Sequence, residues 1–157
     1  MLDKGDGSIH YREQNSLDDG LCDLAEDDLA EIVLLQEVQE PRLENKKIRV
    51  AGIVKFVDLV EQEITLFHEF RSLRVSLRKL KKSTIQGLER GNKVEVIGYL
   101  MNQENFNTHQ VEGSSKNERN LILIAQVLKN IEETNLHFHQ LSIILRRKIL
   151  NSANIIC

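Results

Sequence analysis

Between Arg71 and Arg78 the chain alternates strictly. Leu73, Val75 and Leu77 fall on one parity, and Ser72, Arg74, Ser76 and Arg78 on the other. A period of two puts successive side chains on opposite faces of an extended strand, so this segment has one face in an apolar core and one in water. The wet face carries guanidinium groups, and Lys79, Lys81 and Lys82 follow directly. The segment therefore speaks to fold and to ligand together.

The flanking sequence reads as further strands. From Lys46 to Leu59, Ile48, Val50, Val54 and Phe56 share one parity, while Ala51, Ile53 and Val57 share the other. A strand apolar on both faces with Gly52 at its middle predicts a bent strand serving two parts of a curled sheet, with Phe56 in the core. Val60-Glu61-Gln62 reads as a turn, and Glu63–His68 as a second strand with Ile64 and Leu66 inward and Thr65 and Phe67 outward. After the Arg71–Arg78 strand, Ser83 with Gln86 matches a capping box, and Ile85 and Leu88 extend a helix of at most about two turns that Gly91 stops. Asn92–Met101, with Gly98 as a second bend, and Leu121–Ile131, apolar on both faces, complete the set; residues 102–118 form a long polar loop between them. Three strands, a helical connector and two more strands are the layout of the five-stranded Greek-key OB-fold barrel. An SH3-like barrel competes, but it lacks the connector helix. The expected fold is all-β with flanking helices, its barrel spanning 45–131.

The net charge of −3 conceals a division. Residues 1–45 hold thirteen acidic and three basic residues, a balance of −10, and residues 46–157 hold eighteen basic and eleven acidic, a balance of +7. An acidic extension over 1–44 thus joins a basic domain. Residues 1–25, rich in Gly, Asp and Ser, read as disordered; the extension either keeps the chain soluble or competes with a polyanion for the basic face. Leu29, Ile32, Val33, Leu35 and Val38 fit a short helix or a strand over 28–38, and helical spacing slightly favours a helix or turn leading to the domain, which Pro41 ends. The acidic start has no apolar stretch of a secretory signal, and no apolar run approaches the roughly 20 residues that span a bilayer. Cys22 and Cys157 lie at opposite ends, too few for a zinc site or a disulfide framework, and predict a reducing compartment.

Residues 132–157 read as an interaction helix and tail. Thr134-Asn135 supplies an N-cap, and Leu136–Leu150 carries two apolar stripes. At 100° per residue, Leu136, Ile143 and Leu150 form one, with Ile144 beside it; Phe138, Leu141, Leu145 and Ile149 form another on nearly the opposite side. A helix that packs only on its own barrel needs one stripe. Leu136 lies nearest the barrel exit, so its stripe is assigned to the barrel and Phe138, Leu141, Leu145 and Ile149 to a partner chain. The loop at 102–118, the N-terminal extension or a second copy are the other occupants. Arg146, Arg147 and Lys148 suit the helix dipole and equally an ionic contact with a partner.

The sequence carries no Walker loop, Gly-x-Ser-x-Gly or His-Glu-x-x-His motif. His137 and His139, two apart on a helix, point about 200° away from each other and cannot chelate one metal, and His10, His68 and His109 are scattered. No enzyme activity, metal or cofactor is expected. Binding remains. OB-folds hold single strands on the face of their second and third strands. Arg74 and Arg78 lie there, with Lys79, Lys81 and Lys82 at its end and Phe67 on the neighbouring strand. Cations neutralise phosphates, and a ring stacks on a base. With five Phe, two Tyr and no Trp, the chain suits an accessory binder beside a larger partner.

A barrel followed at once by a two-faced helix resembles the small subunits of replication-protein-A-like complexes, and within them the smallest subunit of the CST telomere complex, the Ten-one family. The likeness rests on Ile48-Arg49-Val50-Ala51-Gly52-Ile53-Val54, Ile64-Thr65-Leu66, Leu73-Arg74-Val75-Ser76-Leu77, Val94-Glu95-Val96-Ile97-Gly98-Tyr99-Leu100 and the junction from Ile131 through Thr134-Asn135-Leu136, within residues 45–150. The resemblance implies a heterodimer with the larger, middle OB-fold subunit of CST through the terminal helix, and a complex that binds single-stranded telomeric DNA. It further implies a nuclear place at chromosome ends, and work in end capping and lagging-strand fill-in with polymerase α–primase; telomerase is a further candidate partner. A pure protein-interaction subunit of the dissolvasome type and an RNA-binding OB domain share the outline.

Overall fold

The computed structural model describes residues 29–103 and 119–153. Strands β2 (Lys47–Asp58), β3 (Glu63–His68), β4 (Arg71–Ser76), β5 (Lys93–Asn102) and β6 (Leu121–Asn130) form a sheet, and β1 (Glu31–Ile32) is added to it. The spatial order β1-β2-β3-β4-β6-β5, with β5 returning onto β2, closes β2–β6 into the OB-fold barrel. β4 meets β6 in parallel over Arg74–Ser76, and the other barrel pairings are antiparallel. The apolar positions point as their period demands: Ile64, Leu66, Leu73, Val75 and Leu77 are buried, as are Val94, Val96 and Leu100 of β5. Ser76, expected on the wet face, is buried as well where β4 lies between Glu63 of β3 and Ile124 of β6. The extension up to residue 28, the polar loop from 104 to 118, both cysteines, His10 and His109 lie outside the described residues.

Phe56 is not in the core. The register of β2 on β3 passes from Val54↔Leu66 to Phe56↔Thr65, so Lys55 is an extra, bulged residue. One inserted residue flips every later side chain to the other face. Beyond the bulge Val57 packs on the core, and Phe56 points out, 60% exposed. The β5–β6 register also slips, between Ile97 and Gly98. A Cβ on Gly98 would lie 2.1 Å from the Ile124 carbonyl oxygen, so only glycine fits where these strands close.

The segment before the barrel is folded onto it. Where the spacing favours a short helix or turn over a strand, at 28–38, stand both a strand, β1, which pairs in parallel with Ile48 and Arg49 of β2, and a 3-10 turn, Leu35–Glu37. A second turn, Pro41–Leu43, follows. Val33, Leu35, Val38 and Leu43 are buried in the same core as the barrel strands, each contributing about 1.5–3 kcal/mol of apolar burial.

The connector helix, α1 (Lys82–Ile85), is a single turn with Lys81 rather than Ser83 at its cap position. Gly87, at φ +87°, turns the chain away before a second turn forms, and Ile85 and Leu88 pack against the core. The β3–β4 hairpin has a two-residue loop, Glu69-Phe70, with φ of 45° and 67°. Positive φ at both central positions is the type I′ geometry that normally selects Asn-Gly. For residues with a Cβ it costs about 1–2 kcal/mol each.

Candidate nucleic-acid and partner interfaces

The register places Thr65 opposite Arg74 and Phe67 opposite Ser72, so these outward side chains share one face, which Phe56 joins from β2. Lys55 Nζ lies 5.1 Å from the centre of the half-buried Phe67 ring, a cation–π contact. An open groove of about 400 Å³ borders this face, lined by Lys55, Phe56, Leu59, Leu88 and Arg90 among others. Phe56 and Arg90 are thus an aromatic and a cation here that the sequence reading missed; the bulge behind Phe56 has no sequence signature.

The arginines carry partners. Arg74 donates to Glu63 and to Gln103, each at 2.7 Å. Arg78 donates to the Glu61 carboxylate at 2.8 Å and to its carbonyl at 3.2 Å. Glu61 and Glu63, adjacent in space but on the other side of a turn in sequence, offset both charges. Such exposed pairs contribute about 0–1 kcal/mol, so a phosphate can take the carboxylate's place at small cost. Lys79, Lys81 and Lys82 are exposed beyond the strand end.

The second surface is α2 (Leu136–Ala153). Asn135 caps it: its Oδ1 accepts from the N–H groups of His137 at 3.0 Å and Phe138 at 3.3 Å. Leu136 and Ile143 are buried against the barrel and the Val33–Leu35 segment. The buried Glu95 of β5 lies 2.9 Å from Arg49 Nε and 3.9 Å from His139 Nε2, an ionic seat beneath the helix. Arg147 fixes the distal half. It donates to Glu37 at 2.6 and 3.0 Å and to the Ile32 carbonyl at 2.6 Å. Glu37 also accepts the Leu34 N–H at 2.8 Å. Burial alone would raise the Glu37 carboxyl, but the hydrogen bonds from Arg147 and Leu34 and the Arg147 charge together hold it below its ordinary value. The Glu37 hydrogen bond raises Arg147 in turn. On the opposite side Phe138 (68% exposed), Leu141 (40%), Leu145 (57%) and Ile149 (67%) stand in solvent. Leu150, assigned to the barrel stripe by its angle, is half exposed. Among the described residues no helix is long and apolar enough to cross a membrane, and no three His, Cys, Asp or Glu side chains cluster to hold a metal ion.

Residues 27–153 match the family model described as a telomere-capping CST complex subunit, Ten1. The chain belongs to the Ten1 family. In structure this Ten1-family chain is similar to the S. pombe Stn1–Ten1 complex, with a TM-score of 0.57 and 12% identity over 77% of this chain and 94% of that one. It is similar likewise to S. pombe Ten1 alone, with a TM-score of 0.56 and 12% identity over 76% and 99% of the two chains. An aspartyl-tRNA synthetase from Leishmania major shares the barrel at a TM-score of 0.51 and 13% identity, over 69% of this chain and 22% of that one. At these identities the structures speak for the OB-fold, and the family model for telomere capping. Curated proteins include no significant match to the sequence.

Proposed function

We propose that this Ten1-family chain is the non-catalytic small subunit of a CST-like complex, docking through α2 on a larger OB-fold subunit. The observation that carries this reading is the outward row Phe138, Leu141, Leu145 and Ile149, four large apolar side chains on one side of a capped and clamped helix. A contiguous apolar row that none of the described residues covers is a surface suited to a partner. The S. pombe relative is found in a complex with Stn1, which supports a partner of that kind. In the assembled complex, Arg74, Arg78, Lys79, Lys81 and Lys82 contact phosphates of single-stranded telomeric DNA, and Phe67, with its stacked Lys55, lies beneath the bases. The complex works in the nucleus at chromosome ends, capping them and supporting lagging-strand fill-in by polymerase α–primase; telomerase is a further candidate contact.

The test is titration of the purified Stn1-like subunit from the same organism into this chain. Leu145→Glu places a charge in the middle of the row and abolishes binding while leaving the melting temperature of the isolated chain unchanged; undiminished affinity rejects the interface. A second reading, in which the barrel serves protein contacts alone, is favoured by the Glu61 and Glu63 carboxylates that already occupy the two arginines.

A further inference from the structure

We propose that Phe70, at the tip of the β3–β4 hairpin, is a second anchor for the protein subunit that docks on α2, its ring entering an apolar pocket of that subunit. The inference rests on the reading of α2 given above and extends the contact from the helix to the barrel. Phe70 combines two unfavourable features. Its backbone and that of Glu69 are both in the left-handed region, at φ 67° and 45°, in a loop position that ordinarily selects glycine. Phe70 is 96% exposed, so no packing among the described residues offsets that conformation or the hydration of an aromatic surface. A strained backbone presenting a bare ring points to a use outside the chain.

Position selects the occupant. His68, the residue before the turn, lines the small cavity beneath α2 together with Leu136, His139 and Ile143. The base of the hairpin turn therefore lies beneath the N-terminal half of the helix, where Phe138 and Leu141 begin the outward row. A protein body resting on the far side of a helix about 10 Å across overhangs this tip. Charge is balanced at the tip, where Phe70 stands between the acidic Glu69 and the basic Arg71, and the lysine cluster at 79, 81 and 82 lies beyond the other end of the six-residue β4, roughly 20 Å away at the rise of a strand. An aromatic side chain is the type that dominates protein–protein anchors.

The test uses the full chain and the purified Stn1-like subunit of the same organism, with Phe70→Gly and Leu145→Glu as variants. Glycine relieves the turn, so Phe70→Gly melts at a higher temperature than the parent when alone, yet binds the subunit about tenfold or more weakly. A loop of purely structural importance would not move these two readouts in opposite directions. If Phe70→Gly binds with parental affinity while Leu145→Glu does not bind, the second anchor is wrong and the α2 interface stands. If Leu145→Glu binds normally, the α2 reading falls and this proposal with it. A Phe70→Gly heterodimer that assembles normally but loses affinity for a single-stranded oligonucleotide assigns the ring to nucleic acid and overturns the proposal.

Discussion

Arg147 joins α2 to the segment before the barrel, and replacing it with methionine keeps the packing of the stem while removing the charge. Its guanidinium donates to both Glu37 oxygens and to the Ile32 carbonyl. Hydrogen bonds to charged groups contribute about 1.5–3 kcal/mol when buried. The Arg147 side chain is 35% exposed and that of Glu37 20%, so solvent screening reduces the whole set to about 2 kcal/mol at neutral pH. For a folded body of this size the melting temperature should fall by roughly 6–10 °C. The pH dependence separates this account from simple loss of packing. The Glu37 carboxyl is held below its ordinary value of 4.5, so its contribution is present above that pH and lost as pH falls through the lower folded value. In urea unfolding between pH 3 and pH 7, Arg147→Met should therefore differ from the parent by a constant amount above about pH 5, and the gap should narrow below pH 4.5. A gap that is the same at pH 3 and pH 7 would refute the ion-pair reasoning. Amide exchange should also show α2 and residues 31–37 opening together in the variant.

Two further outcomes test the other surfaces. In the heterodimer, Arg74→Ala with Arg78→Ala should flatten the salt dependence of single-stranded DNA binding by a slope of about 1.4, two phosphate contacts at roughly 0.7 each; identical slopes would return both arginines to their glutamates. Gly98→Ala forces a Cβ against the Ile124 carbonyl and should destabilise the chain by about 3 kcal/mol in urea unfolding, whereas Gly52→Ala, whose nearest neighbour is the Leu66 Cβ at 3.3 Å, should cost about 1 kcal/mol or less. Equal losses at the two glycines would show that backbone approach at Gly98 is not what excludes a side chain.

The barrel was legible because its strands bury one face, and burial writes alternation into the sequence. Glu63–His68 is bounded in the structure as the pattern predicts, and Leu73, Val75 and Leu77 are inward. Phe56 was misread because a bulge inverts parity without changing composition; nothing about Lys55 marks it as the extra residue. Residues 31–43 were misread as an extension because two-residue strands and 3-10 turns have no period, although Val33, Leu35, Val38 and Leu43 are as buried as the barrel. The basic strand looked unopposed because its acids, Glu61 and Glu63, come from the preceding hairpin arm. Arg147 looked like a dipole complement; its partner is 110 residues away, and no spacing rule reaches that far.

That separation has a bearing on assembly. α2 follows every barrel strand in synthesis, yet the group that fixes its distal half, Glu37, precedes all five of them. The helix can be held at its final angle only once the intervening barrel has closed and brought the two together. Until then its outward row has no fixed orientation relative to the hairpin tip. A partner that needs both would bind weakly to a nascent or half-folded chain and tightly to a finished one. The ion pair between Arg147 and Glu37 in that sense ties docking to completed folding, and assembly becomes a check on the barrel itself.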